Sequence, residues 1–434
     1  MVIEQLYDLY KQHPVISTDT RKIAPGSLFF ALKGDNFDAN TFAAQAVVAG
    51  ASYAVIDNAA YRVSDQFILV DDVLSTLQDL ARYHRKQLQI PVIGLTGTNG
   101  KTTTKELINA VLSQQFTTLA TQGNLNNHIG VPLTMLSINS SHQMAVIEMG
   151  ANHQKEIELL CTIAQPTHGL ITNVGKAHLE GFGGVEGVKK GKGELYDYLK
   201  ATNGIAFVSS NSADLMLMQQ ARELQNVVYY GEADNAAIHG QLTGNAPYLS
   251  LQWATANAET EHHITSQLTG EYNFDNILAA ICIGDYFNLT AKQINAGIEG
   301  YQPKNNRSQI VKTATNTLIC DYYNANPSSM VVAIDNLGKM QADRKVMILG
   351  DMFEMGDEAA AEHEAVIKAA LAVPANAHIF VGAEFYLQQQ NYPATFYKTA
   401  EEAIAAIQAN AVTGATVLIK GSRGMALERL VTYL

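Results

Sequence analysis

The sequence has few cysteines and no long apolar run. Its 434 residues include 3 cysteines, Cys161, Cys282 and Cys320. This odd, widely spaced set excludes a disulfide framework or a zinc-binding spacing and predicts buried free thiols in a reducing cytoplasm. No stretch approaches the ~18 apolar residues of a membrane-spanning helix. The first residues also lack a basic region followed by an apolar one, so no secretory signal is expected.

Positive charge is also in short supply. The chain has 29 Lys and Arg against 41 Asp and Glu, a net charge of −12. A nucleic-acid-binding protein needs a basic surface, so we expect no nucleic-acid partner. Apolar residues, by contrast, make up 47% of the chain, which is enough for more than one core. The length predicts about three domains.

The alternation of strands and helices divides the chain into three α/β units, at residues 1–85, 86–304 and 305–434. A helix over 72–84 is predicted to connect the first two units. Alternating strands and helices predict mostly parallel sheets covered on both faces. Alternation at Leu249, Leu251 and Trp253 predicts an added antiparallel strand. The other strands are predicted at 27–32, 54–57, 92–96, 145–148, 169–172, 205–208, 318–321, 346–349, 379–381 and 417–419.

A glycine-containing loop between a predicted strand and a predicted helix (105–112) is the sharpest local signal. It consists of Gly97, Thr98, Asn99, Gly100, Lys101, Thr102 and Thr103. Glycines let backbone N–H groups turn inward, and the following helix N-terminus favours phosphate oxygens. Lys101 is expected to reach the outer phosphates of a nucleotide, and the Thr102 hydroxyl to bind Mg²⁺. The glycines stand closer together than in the common G-x-x-x-x-G-K-[ST] form, so a tight turn with an incidental lysine is the alternative.

An acidic residue, Glu148, ends an apolar predicted strand. Ligands of open α/β sheets bind at the carboxyl ends of the strands. Because Mg²⁺ prefers carboxylate oxygens, Glu148 is a candidate metal ligand. A solvated strand end is the alternative.

A series of further motifs runs along the chain in a specific order. They lie at residues 96–103, 123–132, 148–153, 177–183, 192–195, 273–276, 321–327, 350–352 and 420–423. Together they resemble the Mur ligases, the ATP-dependent amide-bond-forming enzymes of peptidoglycan synthesis, across essentially the whole chain. The resemblance implies an N-terminal domain for the UDP end of the substrate, a central P-loop ATPase domain and a C-terminal Rossmann-like domain that closes over the nucleotide.

Within the family, the motifs are most similar to those of members that add D-alanyl-D-alanine to UDP-N-acetylmuramoyl-tripeptide. That likeness implies a ligase that forms an acyl phosphate with ATP and Mg²⁺, working as a cytoplasmic monomer. Another Mur ligase, or an enzyme like folylpolyglutamate synthase, is the alternative within the superfamily. A P-loop kinase or a nucleotide-driven switch is the alternative from another class.

The resemblance also implies catalytic roles. The residues concerned are Lys101, Glu148, His178, Lys192 and Arg307. Thr102 and Glu148 resemble ligands of a first Mg²⁺, and Glu148, His178 and Lys192 would serve a second. An ammonium cannot bind a cation, but the matching family lysine is commonly carbamylated, which makes it anionic. An unmodified, ion-paired Lys192 is the alternative, and Lys189 competes for the same register. Arg307 would reach phosphate, with a solvated linker charge as its alternative.

Substrate-binding positions follow from the same likeness. Asn276 resembles the adenine-side asparagine, and Asp321 would contact the nucleotide. Thr20 and Arg21 would bind the UDP end, while Asn126, Asn127 and Asn152 would contact the sugar-peptide portion. Asn324, Asn326 and Asp351 are candidates for binding the dipeptide, although a turn-forming role suits Asp351 nearly as well.

Overall fold

The computed structural model describes residues 2–233, 235–245, 247–256 and 260–434. The first part of the chain forms a small parallel sheet with helices on its faces. The elements are β1 (Ile16–Ser17), β2 (Leu28–Phe30), β3 (Lys33–Gly34), β4 (Phe37–Asp38), β5 (Tyr53–Ile56), β6 (Phe67–Leu69), α1 (Ile3–Gln12), α2 (Ala43–Val48) and α3 (Val73–Gln87). The strands of the sheet pair in the order β1-β2-β5-β6, and β3 and β4 form a separate antiparallel hairpin.

The central part forms a larger sheet. Its strands are β7 (Val92–Thr96), β8 (Thr118–Ala120), β9 (Met144–Glu148), β10 (His168–Ile171), β11 (Ile205–Ser209), β12 (Val227–Gly231), β13 (Ile238–Asn245), β14 (Leu249–Thr255) and β15 (His262–Thr265). They pair in the order β15-β14-β13-β12-β11-β10-β7-β9-β8. Its helices are α4 (Lys101–Leu112), α5 (Gly130–Leu136), α6 (Glu156–Ala164), α7 (Leu179–Phe182), α8 (Val185–Thr202), α9 (Ala213–Ala221), α10 (Phe274–Tyr286) and α11 (Ala291–Gly300). The last two strands pair antiparallel, as predicted for β14.

The C-terminal part forms a third sheet. Its strands are β16 (Gln309–Lys312), β17 (Thr317–Asp321), β18 (Lys345–Gly350), β19 (Ala377–Val381), β20 (Thr395–Tyr397) and β21 (Thr416–Lys420). They pair in the order β16-β17-β21-β18-β19-β20 and are parallel except for β16. Its helices are α12 (Pro327–Lys339), α13 (Ala359–Ala372), α14 (Ala383–Tyr386) and α15 (Ala400–Ala409). The predicted α/β class with mostly parallel sheets is therefore confirmed.

Alternating side chains of the central strands fill two separate cores. On β9, Ala145 and Ile147 face a core shared with α3, α5, α6 and α8, whereas Met144 and Val146 face one shared with α4, α10 and α11. The period of two along an extended strand produces this division. Helices thus cover both faces of the sheet, and the carboxyl ends of β7, β9 and β10 lie at one edge.

Helix α3 joins the N-terminal domain to the central domain and also packs against the central domain. Its Gln78 side chain donates to the His128 carbonyl at 3.0 Å, and Arg85 donates to the Ala164 carbonyl at 3.1 Å. Leu77, Leu80 and Ala81 are buried in the same core as residues of α5 and α6. The helix predicted as a connector therefore orients the N-terminal domain on the central one.

Each helix among the described residues is too short or too polar to span a lipid bilayer. The three cysteines are free and buried, as their sparse placement predicted.

A close backbone contact seats helix α4, which follows the phosphate loop, against α11. A Cβ atom at Gly297 would lie 2.6 Å from the Val111 Cα atom, whereas one at Gly300 on the same helix would meet nothing within 4 Å. We expect Gly297→Ala to lower the free energy of unfolding by about 1–3 kcal/mol, because backbone cannot move as a side chain can. Chemical denaturation beside the matched control Gly300→Ala measures the effect. Equal midpoints for the two variants would contradict it.

Candidate active site

The phosphate loop joins β7 to α4 and is tied to the end of β10. Gly97 has φ 150° and Gly100 has φ 78°, and a Cβ atom at Gly97 would lie 2.0 Å from the Thr172 hydroxyl. The Asn99 amide donates to the Asn173 side chain at 2.9 Å, while the Thr172 hydroxyl donates to the Asn99 carbonyl at 2.6 Å. Helix α4 begins at Lys101, earlier than predicted, because Gly100 supplies the left-handed turn before it. The loop is therefore held in shape by its neighbours.

Glu148 ends β9 and is buried, with both carboxylate oxygens engaged. The Thr102 hydroxyl donates to Oε2 and the Asn126 amide to Oε1, each at 2.9 Å. Thr102, Asn126 and Glu148, which are all predicted site residues, thus come together from separate segments of the chain. Hydroxyl and carboxylate oxygens at this distance form a donor set suited to a hard divalent cation.

Groups that can carry positive charge lie near the phosphate loop and Glu148. Lys101 Nζ folds back to donate to the carbonyls of Gly97 at 2.7 Å and Thr98 at 3.1 Å. Burial lowers the pKa of Lys101, and the Glu148 carboxylate partly offsets that effect. The pKa of His178 is also lowered, chiefly by burial, and the same side chain hydrogen-bonds Glu354. Because like charges repel, the Lys101 charge also contributes to the lowered pKa of His178.

Lys192 lies behind this cluster, on α8. Its side chain is 2% exposed, and its Nζ donates to the Ala151 carbonyl at 3.2 Å and lies 5.0 Å from the centre of the Phe182 ring. Burial lowers its pKa well below the ordinary value, and the Lys101 charge lowers it further. Lys189, its competitor in register, instead reaches Asp214 and Glu186 on the surface. The buried, neutral-prone amine therefore belongs to Lys192.

The C-terminal domain supplies the opposite wall. The Arg307 guanidinium lies 3.7 Å from the centre of the Tyr323 ring, a cation–π stack. Lys420 Nζ donates to Asp321 Oδ2 at 2.7 Å, and the Ser308 amide donates to Oδ1 at 3.1 Å. Asp321 is thus tied to both the third sheet and the segment that carries Arg307.

Direct contacts hold this domain on the phosphate loop. The Asn99 side chain donates to the Ser328 hydroxyl at 2.9 Å and accepts from the Asn326 amide at 2.8 Å. Farther out, Lys176 pairs with Glu362 at 2.7 Å and Lys339 with Glu271 at 2.7 Å. The structure therefore presents the central and C-terminal domains docked across the cleft.

The cleft encloses a cavity of 730 Å³ between the two domains. Most of the predicted site residues line it: Thr98, Asn99, Gly100, Lys101, Thr102, Thr103, Asn126, Asn127, Glu148, Asn152, His178, Asn276, Arg307, Asp321, Asn324 and Asn326. Gly97 and Lys192 do not line the cavity themselves, but each bonds a residue that does. The Gly97 carbonyl accepts from Lys101, and Lys192 donates to the Ala151 carbonyl. The structure brings together residues far apart in sequence.

Comparison with known proteins agrees with this arrangement. The family model for the Mur ligase middle domain matches residues 95–284. The family model for the glutamate ligase domain of Mur ligases matches residues 306–423. The UDP-N-acetylmuramoyl-tripeptide–D-alanyl-D-alanine ligase of Bacillus subtilis is 34% identical, covering 96% of this chain and 92% of its own. The chain belongs to the Mur ligase family. The resemblance stated from its motifs is thereby confirmed.

Two further comparisons extend the likeness over the whole Mur ligase. The Escherichia coli ligase with the same name is 35% identical, covering 96% of this chain and 93% of its own. A crystal structure of MurF from Acinetobacter baumannii superimposes with a TM-score of 0.88 at 31% identity, covering 99% of this chain and 98% of that chain. All three parts of the fold are therefore shared.

Several predicted binding residues of the Mur ligase also support the fold. Asn276 accepts from the Thr104 hydroxyl at 2.9 Å and packs against Gly100, which places it beside the phosphate loop. The Asn127 side chain accepts from the backbone amide of Gly130, the first residue of α5, at 2.9 Å. Asn326 caps α12 by accepting from the Ser329 amide at 2.9 Å. Their side chains are ordered by these bonds before any ligand contact.

Three predicted substrate residues do not line the cleft. Thr20 and Arg21 lie in the N-terminal domain, where Arg21 is exposed and pairs with Asp19 at 2.8 Å. Asp351 is buried, and its carboxylate accepts from the amides of Glu384 and Phe385, each at 3.0 Å. Since both oxygens cap the start of α14, Asp351 is not placed to bind the ammonium end of a dipeptide. These bonds reach residues far along the chain, so they also differ from the local turn that was the alternative for Asp351.

Sequence reasoning missed other groups of the site. Tyr272 and Tyr323 line the cleft, as does Lys420. Tyr323 and Lys420 stood in the motifs at 321–327 and 420–423, so their places were signalled although their roles were not. The Tyr272 hydroxyl reaches Ser308 at 2.7 Å, across the domain boundary, and only the fold reveals that contact.

The Asp321–Lys420 pair offers a test of how the C-terminal wall is held. The Lys420 side chain is 3% exposed and that of Asp321 15%. Asp321→Asn keeps an acceptor for the Ser308 amide but leaves a buried ammonium without its counter-ion. We expect a loss of about 3 kcal/mol in the free energy of unfolding. Urea denaturation beside Asp335→Asn, whose carboxylate is 59% exposed in its pair with Lys339, provides the measurement and control. Equal losses would contradict a buried pair.

Proposed function

We propose that this Mur ligase joins D-alanyl-D-alanine to UDP-N-acetylmuramoyl-tripeptide with ATP, as a cytoplasmic monomer, in peptidoglycan precursor synthesis. The observation that carries the proposal is the cleft, where the phosphate loop and Glu148 of one domain face Arg307 of another. Relatives that bear this activity in their names match over 96% of the chain. The free buried cysteines accord with a reducing compartment.

The proposed chemistry explains the residue types in the cleft. An oxygen of the tripeptide carboxylate attacks the γ-phosphorus of ATP, the bond to ADP breaks, and an acyl phosphate forms. The dipeptide amine then attacks the acyl carbon, loses a proton, and phosphate leaves. The first step brings two anions together, so Lys101, the loop N–H groups and Arg307 would offset their repulsion. The docked C-terminal domain would keep water from the acyl phosphate.

The donor set around Glu148 fits Mg²⁺. Thr102 and Glu148 would hold the ion, and Asn126 would orient the second carboxylate oxygen. When bound, Mg²⁺ supplies positive charge against the phosphates. Nowhere in the described residues do three His, Cys, Asp or Glu side chains converge on one point. Water and phosphate oxygens would therefore complete the coordination, as is usual for this ion.

Lys192 fits carbamylation, which would make it a partner of His178 at a second ion. Carbamylation joins the neutral amine nitrogen to the carbon of CO₂ and releases a proton, leaving a carboxylate. Burial favours the neutral amine, and the neighbouring Lys101 charge favours the anionic product.

The alternatives differ in acceptor or in class. Another Mur ligase would take a single amino acid, and a folylpolyglutamate synthase-like enzyme would take glutamate. An N-terminal domain with its own sheet before the phosphate loop, with Thr20 and Arg21 as proposed UDP-binding residues, favours the UDP-linked substrate. A kinase or nucleotide switch would not need a third domain that contributes Arg307 to the cleft.

An acceptor assay tests the proposed function. We expect phosphate release from ATP and UDP-N-acetylmuramoyl-tripeptide to depend on D-alanyl-D-alanine, with D-glutamate, L-lysine and diaminopimelate giving little product. The reason is that the acyl phosphate is productive only when an amine fits beside it. Coupled phosphate detection with product mass measures both events. Equal phosphate release with and without any amine would rule out a ligase.

Substitution of the buried lysine tests the carbamate. We expect Lys192→Ala to lower kcat by about 100-fold, because a metal-site partner is lost. Added acetate or formate should restore part of the activity by supplying a carboxylate in the space left. The matched control, Lys189→Ala, removes the half-buried lysine one helical turn away, which pairs with Glu186 and Asp214, and should retain activity. Full turnover by Lys192→Ala would remove Lys192 from the site.

A further inference from the structure

Lys105, one turn into α4, is a buried cation that the proposed chemistry does not use. Its side chain is 2% exposed. Its Nζ donates to the Thr121 carbonyl at 2.7 Å and lies 2.9 Å from a carboxylate oxygen of Glu106, which is half-buried. An ammonium removed from water is costly unless it is paired and hydrogen-bonded. Charge-assisted hydrogen bonds are also about twice as strong as neutral ones, so Lys105 holds the Thr121 carbonyl firmly.

Thr121 follows the end of β8 and is fully buried between α4 and β9. Its amide donates to the Val146 carbonyl at 3.0 Å, and its hydroxyl accepts from the Glu148 amide at 2.9 Å. The second of these bonds fixes the backbone of Glu148 at the point where β9 ends. A shift of Thr121 would therefore move Glu148 with it.

The segment that begins at Thr121 reaches Glu148 a second time. Five residues later, the Asn126 amide donates to Glu148 Oε1 at 2.9 Å, and the Asn126 carbonyl accepts from the Gly150 amide at 2.7 Å. Residues 121–126 thus contact both the backbone and the carboxylate of Glu148. The place where this segment is anchored determines where both contacts are made.

Helix α4 consequently supports Glu148 by two routes. Thr102 acts directly, through its bond to Oε2 at 2.9 Å. Lys105 acts at a distance, through Thr121. Because residues three apart lie on the same face of a helix, both side chains are directed at the carboxyl ends of the neighbouring strands. The second route depends on one side chain, since Lys105 is the group that anchors the Thr121 carbonyl.

We propose that Lys105 is a positioning residue for the divalent-cation site. It is not among the described residues that line the cleft, but through Thr121 it holds Glu148 and Asn126 in the geometry that a cation requires. This assignment rests on the proposed function, in which Thr102 and Glu148 hold Mg²⁺. Groups that orient metal ligands are important in proportion, since their loss commonly lowers metal affinity by about 10- to 100-fold.

The test measures the affinity for ADP by calorimetry, once with saturating Mg²⁺ and once with EDTA. The ratio of the two dissociation constants is the gain that Mg²⁺ provides. We expect Lys105→Met to reduce this gain by about 10-fold, because the Thr121 carbonyl loses its anchor and Glu148 shifts. The affinity without Mg²⁺ should change by less than about threefold, since the phosphate loop itself is unaltered. Lys105→Arg should recover part of the gain by keeping a charged donor.

A lysine of the C-terminal domain provides the matched control. Lys345 Nζ also donates to a backbone carbonyl, that of Gly338, at 2.7 Å. Lys345→Met therefore makes the same chemical change away from the cleft. It should keep the full gain from Mg²⁺ even if its thermal unfolding midpoint falls as much as that of Lys105→Met. The comparison separates a loss of stability from a loss of positioning.

A double-mutant cycle tests the route through Thr121. Thr121→Val removes the hydroxyl that accepts from the Glu148 amide but keeps the carbonyl that accepts from Lys105. If both residues act along one route, the loss in the double variant should be smaller than the product of the two single losses. Thr121→Ser, which keeps the hydroxyl, should retain the gain from Mg²⁺.

Each outcome decides one point. A Lys105→Met protein that keeps the unaltered gain from Mg²⁺, or that loses affinity for ADP equally with and without Mg²⁺, overturns the positioning role. Single losses that multiply in the double variant overturn the route through Thr121. If Mg²⁺ leaves the ADP affinity of the unaltered protein unchanged, the proposed cation site itself fails, and the assignment fails with it.

Discussion

The Glu148 carboxylate is the buried anion on which the arrangement of the cleft depends. Its two oxygens accept from Thr102 at the start of α4 and from Asn126 on another loop, so one side chain positions both segments. It also offsets part of the cost of burying Lys101 nearby. Lysines buried without such a counter-charge would lose their protons. The positive character of the phosphate loop therefore depends on this carboxylate.

The whole chain carries a net charge of −12, while the substrates proposed for it are anionic too. A field of that sign disfavours their approach unless the cleft reverses it locally. Lys101 and Arg307 come from different domains, so the reversal is strongest when the domains are docked as they are here. The contacts of Asn99 with Asn326 and Ser328 tie that docking to the phosphate loop itself. Nucleotide binding and domain closure are thus expected to be coupled through one loop.

Local sequence signals predicted the central features well and the supporting ones poorly. The strands ending at Thr96 and Glu148 were evident because their apolar runs are buried on both sides, as expected for parallel sheets. Short or half-polar strands such as β8 and β20 had no comparable pattern. Asn326 and Asp351 show a different difficulty: each stands in a family motif, yet each side chain caps a helix. Capping and ligand binding favour the same residue types, so only the fold separates them.

The Tyr323 ring holds two cationic groups of the C-terminal domain close together. Its centre lies 3.7 Å from the Arg307 guanidinium, which lines the cleft, and 5.4 Å from that of Arg423. Two like charges beside one ring repel each other, so an anion bound at Arg307 would relieve that repulsion. An anion at Arg423 would relieve the same repulsion, so the second anion to bind would gain less than the first. Linkage makes this effect reciprocal. The Arg307–Tyr323–Arg423 arrangement therefore favours an anion at Arg307 most when Arg423 has no anionic partner of its own.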